Sequence, residues 1–134
     1  MDVRSVHHVA LAVDDLDEAL ETWRLVGAAV ELRGQIEGQG VEAAYLRVGS
    51  GRIELVAPLD PDTPVGRFLA KRGPGMHHVA FEVDDVAAAV RELAAAGVEV
   101  VEPAPRPGLG GHDVAFVHPD SLHGVLAEVV SSHG

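Results

Sequence analysis

Val6 to Leu20, VHHVALAVDDLDEAL, is written a second time as Met76 to Val90, MHHVAFEVDDVAAAV, with 8 of 15 positions identical at an offset of 70. A repeat of this kind fixes architecture better than local propensity does. Each copy opens on an alternating apolar segment that reads as a strand, passes through Asp-Asp and continues with helical periodicity. Asp14 or Asp15, and Asp84 or Asp85, suit the helix start, where a carboxylate accepts from free amides and meets the positive end of the dipole. Gly27 and Gly97 end the helices. Ala19, Leu20, Trp23 and Leu25 are expected to pack the first helix, and Val86, Val90, Leu93 and Ala94 the second.

Three further strand-like stretches follow each helix. They are Ala28–Ile36, Val41–Val48 and Arg52–Ala57 in the first copy, and Val98–Glu102, Asp113–Val117 and Gly124–Val130 in the second. Each half therefore reads βαβββ. A Pro-punctuated connection carries a short helix over Val65–Arg72. The expected fold is one α+β domain spanning residues 1–134, with modules at about 5–57 and 76–130 and a linker helix region at about 58–75. The two paired βαβββ modules should form a curved eight-stranded mixed sheet around a metal-binding cleft. A ferredoxin-like single sheet would need fewer strands.

Composition narrows the chemistry. The 134 residues suffice for one core without disulfide or structural zinc. With no cysteine there is no thiolate metal site and no thiol nucleophile, so a metal must use His, Asp or Glu. The net charge of −11 has the wrong sign for tracking nucleic acid or an anionic membrane. No apolar run is long enough to span a bilayer. A soluble, cytoplasmic protein with neither nucleic-acid nor membrane partner is expected.

Strand alternation puts His8, Ala10 and Ala12 on one face and His7, Val9, Leu11 and Val13 on the other; His78 and Ala80 repeat the first set. Each half ends on a strand with one carboxylate in an apolar run, Glu54 in RIELVAP and Glu128 in GVLAEVV. A buried carboxylate costs several kcal/mol unless a cation sits against it. No Lys or Arg is expected near either acid in those strands. A divalent ion held by His8, Glu54, His78 and Glu128 would satisfy both acids and two imidazoles. Such N/O ligation suits Co, Mn, Ni, Fe or Zn and leaves positions for a chelating oxygen ligand.

The duplicated pattern resembles the vicinal oxygen chelate (glyoxalase/bleomycin resistance/dioxygenase) superfamily over nearly the whole chain. Within it, DTPVGRFLAKRGPGMHHVAFEVDDV (Asp62 to Val86), PRPGLGGHDVAFVHPDSLHGVLAE (Pro105 to Glu128) and the QGV of Gln39 to Val41 resemble the methylmalonyl-CoA epimerase family. The resemblance places that family's metal ligands on His8, Glu54, His78 and Glu128, although many members have Gln at position 54 and related glyoxalases have Glu. It implies metal-assisted epimerisation of (2R)/(2S)-methylmalonyl-CoA by α-proton transfer through a stabilised enolate, with an acyl-CoA thioester as partner and a homodimer as assembly.

The resemblance also assigns Glu128 as one proton carrier. The second, a Glu in some members, falls on Ala43. Glu42 faces the other way by alternation, and His112, His118 and Glu37 each have a plainer place in a loop or turn. The glycine-rich loop suggests Arg106, Gly110, Gly111 and His112 as substrate-binding residues. Arg67, Lys71 and Arg72 could add basic charge for CoA. The alternatives are a glyoxalase-like lyase, favoured by Glu54, and a non-catalytic small-molecule binding protein, favoured by Ala43.

Overall fold

The computed structural model describes residues 1–102 and 104–131. Two compact units are resolved: residues 8–77, and residues 1–7 together with those from 78 onward. Both are mixed α+β units, and the repeat is legible in each.

In the first unit, β1 (Ser5–Ala12) continues into α1 (Leu16–Leu25), followed by β2 (Ala29–Ile36), β3 (Val41–Val48), β4 (Gly51–Pro58) and α2 (Pro64–Arg72). The strands run in the order β2-β3-β4-β1, with β1 parallel to β4 and the other pairs antiparallel. Asp15 caps α1, its carboxylate accepting the Glu18 amide at 3.0 Å. Leu16 is buried with Ala44, Leu46 and Leu55, and Leu11, Val13, Leu20 and Trp23 pack on that cluster. Leu25 does not join them and is 80% exposed. It lies nine residues after Leu16, two and a half turns on, and so on the opposite side of the helix.

The second unit holds β5 (Gly75–Glu82) from His78 on, then α3 (Val86–Ala95), β6 (Arg106–Pro107), β7 (Asp113–Val117) and β8 (Ala127–Val130). Asp85 caps α3 by accepting the Ala88 amide at 3.1 Å, the same role that Asp15 has seventy positions earlier. Val86, Ala89 and Val90 are buried against Val83, Ala115 and Val129, with Leu93 beside them. Ala94 is exposed and Ala89 takes the expected place, because 86, 89, 90 and 93 form one helical stripe. The start of β1 belongs to this unit. The Arg4 amide donates to the Glu82 carbonyl at 2.9 Å, and the Arg4 guanidinium pairs with Asp84.

Two expected strands differ. Among the described residues, Val98–Glu102 contributes a bridge from Val100 to Val117 and no longer ladder, and Pro105 just beyond it has no amide to donate. The two-residue β6 pairs with β7 instead. The last strand starts at Ala127, not at Gly124, which has φ 92° and closes the turn after Pro119–Leu122.

Candidate metal centre

The first half-site is built on the parallel β1/β4 pair. Ala10 stands opposite Glu54, and His8, two residues back, shares the Ala10 face. His8 and Glu54 are 1% and 4% exposed. His8 Nε2 lies 3.4 Å from Glu54 Oε1. Across the antiparallel β3/β4 pair Tyr45 stands opposite Glu54, and its ring is tilted against His8 at a centroid distance of 5.1 Å.

The second half-site repeats the first. Ala80 stands opposite Glu128 in the parallel β5/β8 pair, and His78 Nε2 lies 3.9 Å from Glu128 Oε1, both side chains buried. Phe116 stands opposite Glu128 across β7/β8 and meets His78 edge-on at 5.2 Å. The duplication therefore extends from sequence to register: small residue against acid, acid against aromatic, aromatic against imidazole.

These separations test the donor set against a metal. A direct N–H···O bond would be about 2.9 Å long. Two donors each ~2.1 Å from one ion stand between about 3 and 4 Å apart as their angle opens. Both Nε2–Oε1 distances fall in that second range, and neutral imidazole with carboxylate is the donor chemistry of divalent transition metals. The residues of each half fit such an ion.

The neighbouring histidines have other work. His77 turns to α2, edge-on to Phe68 at 4.9 Å, and burial pushes its pKa below the ordinary value. His118 Nδ1 accepts the Asp120 amide at 3.1 Å and caps the turn that follows. Ala43 is fully buried on the Tyr45 face, opposite Val56 and Gly34, so no carboxylate occupies that position. Glu42 faces away and pairs with Arg33 at 3.1 Å.

The Arg106–His112 segment has Gly110 and Gly111 at φ 80° and 82°, with the Gly108 amide donating to the His112 carbonyl at 2.7 Å. His112 Nδ1 is buried without a hydrogen-bond partner, and Arg106 pairs with Glu102 at 2.6 Å. Arg67 pairs with Asp62 at 3.0 Å, while Arg72 lies over the Phe68 ring.

Three residues of this neighbourhood escaped the sequence reading: Tyr45, Phe116 and Arg52. Offset and alternation could have found the aromatics, since each faces its module's acid. Arg52 corrects the expectation that no cation stands near Glu54 on its strand. It lies two residues away on the same face, with its guanidinium on Glu31 and over the Tyr45 ring.

Comparison with known proteins agrees with this architecture. The family model of the Glyoxalase/Bleomycin resistance protein/Dioxygenase superfamily matches residues 7–116. The mitochondrial methylmalonyl-CoA epimerase of Dictyostelium discoideum is 37% identical over 95% of this chain and 78% of its own length. An ethylmalonyl-CoA/methylmalonyl-CoA epimerase of Cereibacter sphaeroides is 35% identical over 92% of this chain and 95% of its own. Among solved structures, a variant of Streptomyces coelicolor methylmalonyl-CoA epimerase in complex with 2-nitronate-propionyl-CoA superposes with a TM-score of 0.95 and 36% identity, covering 99% of this chain and 97% of that one. The α+β class with two βαβββ modules is the fold of these structures.

Proposed function

The chain belongs to the Glyoxalase/Bleomycin resistance protein/Dioxygenase superfamily, and from that premise we propose that it is a metal-dependent methylmalonyl-CoA epimerase. The observation that carries the proposal is the duplicated His–Glu–aromatic half-site, found in a chain about 35% identical to named epimerases along most of its length. His8, Glu54, His78 and Glu128 would hold one divalent ion; His8, His78 and Glu128 each offer a suitable donor atom. When bound, the ion supplies Lewis acidity to the thioester and carboxylate oxygens of the substrate.

The protein's own groups do the rest. Buried Glu54 and Glu128 would offset the charge of a divalent ion, and His8 and His78 would add nitrogen donors. Tyr45 and Phe116 hold the imidazole rings and exclude water beside them. Glu128 takes the α-proton of the 2-methylmalonyl group and an acid returns one on the opposite face. Ala43 leaves that second group unassigned, and His112 is the candidate in the glycine loop. Gly110 and Gly111 let the loop backbone approach an acyl chain, with Arg106 at its start.

Incubating the metal-loaded protein with (2S)-methylmalonyl-CoA in deuterated water tests the reading. Inversion with deuterium at C2, abolished by chelation, is expected. A metal-loaded protein that neither exchanges nor inverts the substrate overturns it. Glu54 also suits a glyoxalase-like lyase, and that second reading predicts isomerisation of a glutathione hemithioacetal under the same conditions. Homodimerisation and a cytoplasmic location complete the proposal, and sedimentation of the purified protein tests the first.

A further inference from the structure

We propose that Arg52 and Arg47, held together by Glu31, form an anion-recognition site on the face of the sheet that carries His8 and Glu54. The inference rests on the epimerase reading for its substrate class and on residues of one unit for its geometry.

Arg47 and Arg52 stand directly opposite each other in the β3/β4 register. Like charges in that position repel, so the pair needs a reason and a counter-ion. The register of β2 against β3 breaks between Val30 and Leu32, and the residue in the break is Glu31. Its carboxylate takes Arg52 Nε at 2.8 Å and Arg47 Nε at 3.4 Å. Two guanidiniums thus converge on one carboxylate. The Arg52 side chain is 20% exposed, partly desolvated yet still reachable, while Arg47 is 47% exposed.

The cluster is one aromatic ring from the candidate ligands. Arg52 lies over the Tyr45 ring at 5.5 Å, and Tyr45 packs on His8 at 5.1 Å. Arg52 and Glu54 alternate onto the same face of β4. The basic positions suggested by sequence are placed less well: Arg67 is paired with Asp62, and Arg106 is engaged by Glu102. In a protein of charge −11, two guanidiniums leashed to one acid beside the donor set give an anionic substrate a local landing point. An arginine fork suits either oxyanion an acyl-CoA offers, the acyl carboxylate or a phosphate.

Calorimetric binding to the metal-loaded protein, with methylmalonyl-CoA and phosphate-free methylmalonyl-pantetheine as probes, tests the proposal without relying on turnover. Arg52→Gln should weaken methylmalonyl-CoA binding at least about 10-fold, the loss of one charge-assisted contact. Arg52→Lys should recover part of the loss, and Arg47→Gln should weaken binding less. Glu31→Gln should tighten binding, because the carboxylate competes for the same guanidiniums, whereas a purely structural role for the triad would make this variant bind no better than the parent. A defect that persists on the pantetheine thioester assigns the acyl carboxylate, and one that vanishes assigns a phosphate. If Arg52→Gln and Arg47→Gln keep parental unfolding temperature and metal content and bind both thioesters as the parent does, the site is overturned. Binding through Arg52 without inversion would retain this site and reject the epimerase; inversion with unchanged affinity in both variants would do the reverse.

Discussion

His8 Nε2 stands 3.4 Å from Glu54 Oε1, with their side chains 0% and 5% exposed. The contact is longer than an ordinary N–H···O bond and matches the spacing of two donors that would share an ion. His8→Ala and Glu54→Ala should each lose bound metal and lower inversion at least about 100-fold, since Lewis-acid stabilisation is worth several kcal/mol. Glu54→Gln keeps an oxygen donor and should retain metal with inversion within about 10-fold of the parent. Elemental analysis beside the isotope-exchange assay reads both quantities. Full activity in Glu54→Ala would remove Glu54 from the centre.

Glu128 occupies the corresponding place in the second half, opposite Ala80 and Phe116. Glu128→Gln preserves an oxygen ligand but removes the proton acceptor, so exchange at C2 should fall about 10²–10⁴-fold, the usual contribution of a positioned base. Metal content should fall much less than exchange. Equal losses would mean that the carboxylate serves only as a ligand.

Phe116 meets His78 edge-on, as Tyr45 meets His8 at a tilt. Phe116→Ala should cost about 2–4 kcal/mol of stability and free the His78 ring, weakening metal affinity about 10-fold. Phe116→Leu keeps bulk without the edge-to-face contact and should lie between. Denaturant titration and metal competition separate the two effects; unchanged metal affinity in Phe116→Ala would show that the ring only fills space.

Gly66 sits in the first turn of α2, where an added Cβ would come within 2.5 Å of the Pro61 carbonyl oxygen, a backbone atom. Its amide also donates to Thr63 Oγ1 at 3.0 Å. Gly66→Ala should destabilise by about 1–3 kcal/mol despite alanine's better helix propensity, because backbone must shift to admit the methyl. Thr63→Ala removes the cap and should cost about 1 kcal/mol. A thermally neutral Gly66→Ala would show that the Asp60–Thr63 turn yields freely.

Much of the fold was legible because the repeat is local. Alternation along Val6–Val13 and the Asp-Asp signal before each helix depend on neighbours in sequence, and Asp15 and Asp85 cap α1 and α3 as their position requires. The lone acids in apolar strands exposed Glu54 and Glu128 by the same reasoning, since burial of a charge is costly wherever the strand goes. Val98–Glu102 misled because its pattern is strand-like, while the length of a ladder depends on a partner strand that the segment itself does not contain. Leu25 misled because apolar character was read without its angle around the helix axis.

Sequence by itself determined the two βαβββ modules, the shared strand face of His8 with Ala10 and of His78 with Ala80, and the identity of the four candidate donors, because these follow from periodicity and the cost of buried charge. Only the tertiary structure decided which side chains flank those donors. Tyr45 and Phe116 reach their histidines through strand register, and Glu31 meets Arg47 and Arg52 through a break in the β2/β3 pairing. Register is a relation between distant segments, fixed by turns, bulges and packing together, and no single strand contains it.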